Sequence, residues 1–155
     1  MLFCITYISK ATKSMSEEDL IALLQESRDW NASHDITGML LYIRSELLQH
    51  KEGRFIQTLE GDETDVKDIF KNIQNDKRHF SIKQLNESFI KARNFNGWSM
   101  GFEALEDTQY TKLPGSFKLD EDFLHEEPVT IYTPALDLLK SFYSLNVNGV
   151  PNTKR

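Results

Sequence analysis

Gly53-Arg54-Phe55-Ile56-Gln57-Thr58-Leu59-Glu60-Gly61 decides how the chain is read. It is rich in β-formers and bounded by glycines, which predicts a strand. Side chains alternate across a strand, so Phe55, Gln57 and Leu59 share a face. Two of those three are large and apolar, which makes it the core face. Gln57 then carries a primary amide into an apolar interior, where it is costly unless its donors and acceptors are met. Its partner is a side chain, a water or a ligand with hydrogen-bonding edges.

Working outward, Leu2-Phe3-Cys4-Ile5-Thr6-Tyr7-Ile8 predicts a first strand, with Phe3, Ile5 and Tyr7 on one face. Ser14-Met15-Ser16-Glu17 fits a capping box opening a helix. Leu20, Leu23 and Leu24 repeat at helical spacing, and the same face continues through Ser27 and Asn31. Ile36 to Ile43 is a nearly unbroken apolar run, as in a central strand covered on both sides. Ser45 to Gly53 is expected to be an extended hairpin loop. Asp62 caps a second helix with the stripe Val66, Ile69, Phe70 and Ile73. Phe80 to Ile90 offers a fourth strand with Ile82 as its best core residue. Phe95-Asn96-Gly97 turns the chain into a fifth strand, Trp98 to Phe102, with Trp98, Met100 and Phe102 on one face.

That order predicts an α+β, ferredoxin-like βαββαββ sheet with two helices on one face. The other face needs a cover. The residues after Asp107 can supply it, with Phe123 opening a short piece and Ala135 to Tyr143 forming an amphipathic helix. The expected division is therefore 1–105 as the ligand-binding domain and 106–155 as a C-terminal helical extension packing on the sheet, with a frayed tail from Asn146.

With 155 residues the chain can bury a real core. Its net charge of −6 argues against a phosphate-backbone binder. Cys4 is the lone cysteine, which excludes an intrachain disulfide and suits a reducing cytoplasm. No signal peptide and no run of bilayer length is seen. There is no Ser-His-Asp relay, no paired-carboxylate pattern, no metal-ligand spacing among the four histidines and no phosphate-binding glycine fingerprint. The topology instead places Tyr7, Gln57, Asn31 and Ser27 around a groove between the helices. A phenol, two amides and a hydroxyl on apolar walls suit a flat heteroaromatic ligand with amide-like edges.

The sequence resembles the BLUF family, blue-light sensors using flavin. The resemblance is carried by Ile5 to Ser9, Ser27 to Asn31, Ile36 to Tyr42, Arg54 to Gly61, Asp76 to His79 and Phe95 to Met100, in that order. It implies non-covalently bound FAD between the two helices. It marks Tyr7 as electron and proton donor, Gln57 as the amide bridging Tyr7 to the flavin, and Asn31 as the holder of the ring's carbonyl and imide edge. Ser27, Arg78 and His79 are further flavin contacts, and Asp76 orients that corner. Trp98 and Met100 match a mobile strand from which either approaches Gln57. The loop before Gln57 is longer than the family's usual hairpin. Counting from upstream alone aligns Gln49 as the key glutamine, whereas the spacing from Gly61 to Arg78 supports Gln57. Trp30 stands where a smaller polar residue is often found.

The mechanism implied is electron and proton transfer from Tyr7 to excited flavin, followed by recombination with a rearranged Gln57 and a red-shifted spectrum. The expectation is a short stand-alone cytoplasmic sensor, not an enzyme, that signals through a homo-oligomer or a separate effector protein. No direct nucleic-acid or membrane partner is expected. Two rival classes are an acylphosphatase-like hydrolase using Arg28 or Arg54 with Asn31, and a flavin-free interaction module on the same fold.

Overall fold

A computed structural model describes residues 2–12, 15–44, 53–97, 99–106 and 139. The elements run β1 (Leu2–Ala11), α1 (Glu17–Ser33), β2 (Thr37–Arg44), β3 (Arg54–Gly61), α2 (Glu63–Gln74), β4 (His79–Ile90) and β5 (Gly101–Glu106). The strands form one sheet in the order β4-β1-β3-β2-β5. β1 runs antiparallel to both β3 and β4, and β2 antiparallel to β3. β1 to β4 thus have the ferredoxin-like arrangement, and β5 adds a parallel edge beside β2.

Period-two alternation explains how the sheet serves two faces. Phe3, Ile5 and Tyr7 of β1 join Phe55 and Leu59 of β3 and Leu40 and Tyr42 of β2 in one buried cluster with Leu20 and Leu24 of α1 and Val66 and Phe70 of α2. Both helices therefore cover the same face. Each of these large side chains contributes about 1.5–3 kcal/mol on burial. The residues between them, including Cys4, Thr6, Ile8, Leu41, Ile56 and Thr58, are buried as well. The central strands are thus covered on both sides, as the apolar run of β2 predicts. The expected C-terminal cap and tail lie outside the described residues except for Leu139, which is helical and fully buried.

Local chemistry sets the helix starts. Ser16, not Ser14, is the N-cap of α1: its side chain accepts from the Asp19 amide while Asp19 accepts from the Ser16 amide. Asp19 completes the box from N3, so the helix opens two residues later than the Ser14–Glu17 spacing suggests. Asp62 caps α2 as expected, accepting from the Thr64 amide at 3.2 Å.

Two further expectations shift. On β4 the buried side chain is Leu85, and Ile82 is only partly covered. Register shifts beside Thr6/Tyr7 and Ile8/Lys10 and a positive φ of 51° at Ser81 change which residues of that strand face inward. β5 begins at Gly101 rather than Trp98. Met100 precedes the ladder because it is turned in to the core, where it is fully buried.

The extended loop at 45–52 and Gln49 lie outside the described residues. Where the chain returns at Gly53, a Cβ would fall 2.2 Å from the Tyr42 ring. Glycine lets that ring close over the backbone, and the Tyr42 hydroxyl accepts from the Met15 amide at 3.0 Å. Gly53 thereby seats the start of β3, and Gln57 follows in register opposite Tyr7 on β1 and Leu40 on β2.

Candidate functional site

The Tyr7–Gln57 pairing across β1 and β3 puts a phenol beside an amide on the helix-covered face. The Tyr7 hydroxyl donates to Gln57 Oε1. Gln57 Nε2 donates to the Met100 sulfur at 3.3 Å. A thioether has no proton to give, so the Gln57 NH₂ faces Met100 and its oxygen is left for Tyr7. All three side chains are buried. The costly buried amide expected from the sequence is thus satisfied by one neighbour from β1 and one from the chain entering β5.

Burial raises the Tyr7 pKa well above that of an ordinary phenol, and the negative charge of Asp76 raises it further. Tyr7 therefore holds its proton at any working pH.

Above this row lies a narrow cleft between the helices. Leu23 and Ser27 of α1, Ile73 of α2, Leu40, Phe55, Tyr7 and Gln57 line it, with Asp76, Arg78 and His79 at its end. A second, more open groove shares Leu23, Ser27, Ile73, Asp76 and Arg78 with it and continues outward between the helices past Trp30 and Asn72.

The end of the cleft is held by charge. Arg78 grips Asp76 through Nε at 3.0 Å and Nη2 at 2.5 Å, and reaches Glu26 of α1 through Nη1 at 2.8 Å. This guanidinium spans from the turn after α2 to α1. His79 is engaged at both nitrogens, with Ser9 Oγ at 2.8 Å from Nδ1 and the Ile73 carbonyl at 2.5 Å from Nε2. A carbonyl only accepts, so Nε2 carries a proton.

The Arg78 hydrogen bonds hold the Asp76 carboxyl below its usual range. A depressed carboxylate stabilises the fold above its unfolded value of about 3.8, and that contribution is lost as pH falls through the lower folded value. Asp76→Asn should therefore melt below the wild type at pH 7, with the difference narrowing at pH 3, below the unfolded value of about 3.8. Thermal melts at both pH values check this. An equal difference at both would show that the ion pair is not its source.

Asn31 lies one turn beyond Ser27 on the same helix face. It is almost wholly buried, and its Nδ2 donates to the Ser99 carbonyl at 2.8 Å. Its Oδ1 has no hydrogen-bond partner. An orphaned buried acceptor fits a ligand that brings an N–H. Arg28 adds a second tie from α1, donating from Nε to the Met100 carbonyl at 3.1 Å.

The family model for sensors of blue light using FAD matches residues 2–101. The chain belongs to the BLUF family. It is 34% identical over 100 residues to the photoactivated adenylate cyclase subunit beta of Euglena gracilis, covering 64% of this chain and 11% of that protein. The chain thus spans about a tenth of the length of the curated relatives it matches. Among solved structures, a bacterial light-regulated adenylyl cyclase is 31% identical with a TM-score of 0.58, covering 73% of this chain and 30% of that one. The photo-activated state of BlsA is 25% identical with a TM-score of 0.67, covering 92% and 95%. BLUF relatives are therefore joined to effectors such as adenylyl cyclase, and the family is a flavin-binding class of blue-light sensor.

Within the BLUF frame, the residues expected from the sequence stand in different relations to the cleft, and Asn31 is not among those that line it. Tyr7 and Gln57 meet directly, and Met100 completes the row. Ser27, Asp76, Arg78 and His79 line the cleft, but each is already engaged: Ser27 Oγ donates to the Leu23 carbonyl of its own helix at 2.9 Å. Trp98 lies outside the described residues. Arg28 holds the Met100 carbonyl, and alternation along β3 puts Arg54 on the face opposite Gln57. Among the described residues no cluster of His, Cys, Asp and Glu fits a metal, and no helix is long and apolar enough to cross a membrane. Sequence reading missed Glu26 and the tie from Arg28. Arg28 stands three residues before Asn31, a helical spacing that signals a shared side; for Glu26 no spacing signals its reach to Arg78.

Proposed function

We propose that this chain senses blue light through FAD held between α1 and α2, and that the Tyr7–Gln57–Met100 row is its switch. The observation that carries the reading is the hydrogen-bonded sequence of phenol, amide and thioether at the floor of the interhelical cleft. Asn31 would hold the imide edge through its unpaired Oδ1, and Leu23, Leu40 and Ile73 would provide apolar walls. Ser27 and the Asp76–Arg78–His79 end of the cleft would complete the site. Bound there, FAD supplies the absorption of blue light and, once excited, an acceptor for one electron and one proton.

The protein's own part is proton placement. Tyr7 is neutral and already donates to Gln57 Oε1, so its proton can pass onto the amide oxygen as its electron leaves. Gln57 must then reorganise. A half-turn of the amide would aim Oε1 at the Met100 sulfur, two acceptors face to face. The turned state must therefore break the Met100 contact, which is how a change at Gln57 reaches the chain entering β5. Such a hydrogen bond is worth about 1 kcal/mol, enough to bias a two-state element but not to drive refolding.

The output passes to an effector protein or through self-association, in keeping with relatives whose names join BLUF regions to adenylyl cyclase. The lone buried cysteine suits a cytoplasmic setting.

The test is an absorption spectrum of protein supplied with FAD, in the dark and after blue illumination. A flavin spectrum that shifts slightly to the red and returns in the dark supports the reading. Bleaching of the flavin band, or failure to take up added FAD, would overturn it.

A further inference from the structure

Glu60 is fully buried at the far end of β3, three residues beyond Gln57 and on the opposite face. A carboxylate there is expensive unless well met. Its Oε1 accepts from the Thr37 hydroxyl of β2 at 3.0 Å and from the Phe95 amide at 2.6 Å. Its Oε2 accepts from the Asn94 amide at 2.9 Å and the Asn94 side chain at 3.3 Å. Burial pushes this carboxyl above its usual range, while these hydrogen bonds oppose the shift.

Arg93 locks the same corner from outside. Its guanidinium donates to Thr37 Oγ1 at 2.8 Å, to the Glu60 carbonyl at 3.3 Å and to the Asp35 carbonyl at 2.9 Å. It also pairs with the Asp35 carboxylate at 3.1 Å. The connection between β4 and β5 is therefore bolted to the end of β3 at Arg93 to Phe95. It is tied again at Ser99 and Met100, to Asn31 and Arg28 of α1. The short span between the two anchors makes the position of Met100 depend on the first of them.

We propose that Glu60 is a positioning residue for the Gln57 switch: by gripping the Asn94 and Phe95 amides it sets where Met100 meets the Gln57 amide. The proposal rests on the reading of Tyr7, Gln57 and Met100 as a light switch. Glu60 touches neither the cleft nor Gln57, so its effect runs through the backbone of the connection.

Glu60→Gln keeps the size of the side chain but turns one acceptor oxygen into a donor, which must then face Asn94 or the Thr37–Phe95 pair. The measurement is dark recovery of the red-shifted state with FAD bound, alongside thermal melting. Recovery should be about tenfold faster than in the wild type, the factor for losing one charge-assisted hydrogen bond. Dark flavin content should be unchanged. Val66→Ala removes core packing from α2 without touching the connection, and should lower the melting temperature but keep the wild-type recovery rate. A Glu60→Gln protein that recovers at the wild-type rate overturns the proposal, as does Val66→Ala changing recovery equally. If Glu60→Gln does not fold, Arg93→Met carries the same test from the other side of the clamp. A wild type with no red shift overturns both this proposal and the light-switch reading, whereas a cycling wild type with an unaffected variant overturns this one alone.

Discussion

Gln57→Leu is expected to abolish the light-induced red shift while leaving flavin bound. Leucine fits the apolar side of the site, flanked along β3 by Phe55 and Leu59, but it has no oxygen for Tyr7 and no N–H for Met100. The buried Tyr7 hydroxyl then loses its acceptor, at a cost of about 1–3 kcal/mol partly offset by apolar burial. The cleft walls and Asn31 are untouched, so dark absorption should persist. Tyr7→Phe should lose the shift for the complementary reason: the amide remains but has no proton donor. Difference spectra of the two variants with FAD check both statements. A normal reversible shift in either one would show that the proton path does not run through this pair.

Gly38→Ala is expected to be the most damaging small change in the sheet. A Cβ at Gly38 would lie 2.1 Å from the Thr58 carbonyl oxygen of the neighbouring strand. That atom is backbone, locked in the β2–β3 ladder, and cannot turn aside as a side chain can. The same Cβ would sit 3.1 Å from the Met100 methyl. Relief requires spreading β2 from β3, an overpacking cost of about 3 kcal/mol. For a domain of this size the melting temperature should fall by about 10 °C. The photocycle should change as well, because Met100 is pushed off the Gln57 amide. An alanine variant that melts with the wild type would show that the strands accommodate the methyl group.

Much of the architecture was legible because periodicity reports burial directly. The alternation of Phe55, Gln57 and Leu59 and of Phe3, Ile5 and Tyr7 placed both key side chains on the helix-covered face. The stripes through Leu20 and Leu24 and through Val66 and Phe70 supplied the cover. Errors gathered where local signals compete. Ser14 and Ser16 both suit a helix cap, and only the position of Asp19 three residues after Ser16 selects one. Met100 and Gly101 read as one continuous strand, yet Met100 leaves the ladder to pack against Gln57 and Gly38.

By itself, then, the sequence determined the ferredoxin-like element order, the shared face of Tyr7 and Gln57, and a resemblance that the family match bears out. Those properties follow from short-range repeats and from residue identity. Tertiary structure alone decided that the Gln57 amide is held between a phenol and a thioether, that Arg78 reaches Glu26 and His79 the Ile73 carbonyl, and that Glu60 accepts from the Asn94 and Phe95 amides. These are contacts between side chains and backbone groups far apart in the chain. No local period encodes them, because each depends on how strands and connections from separate regions meet in space.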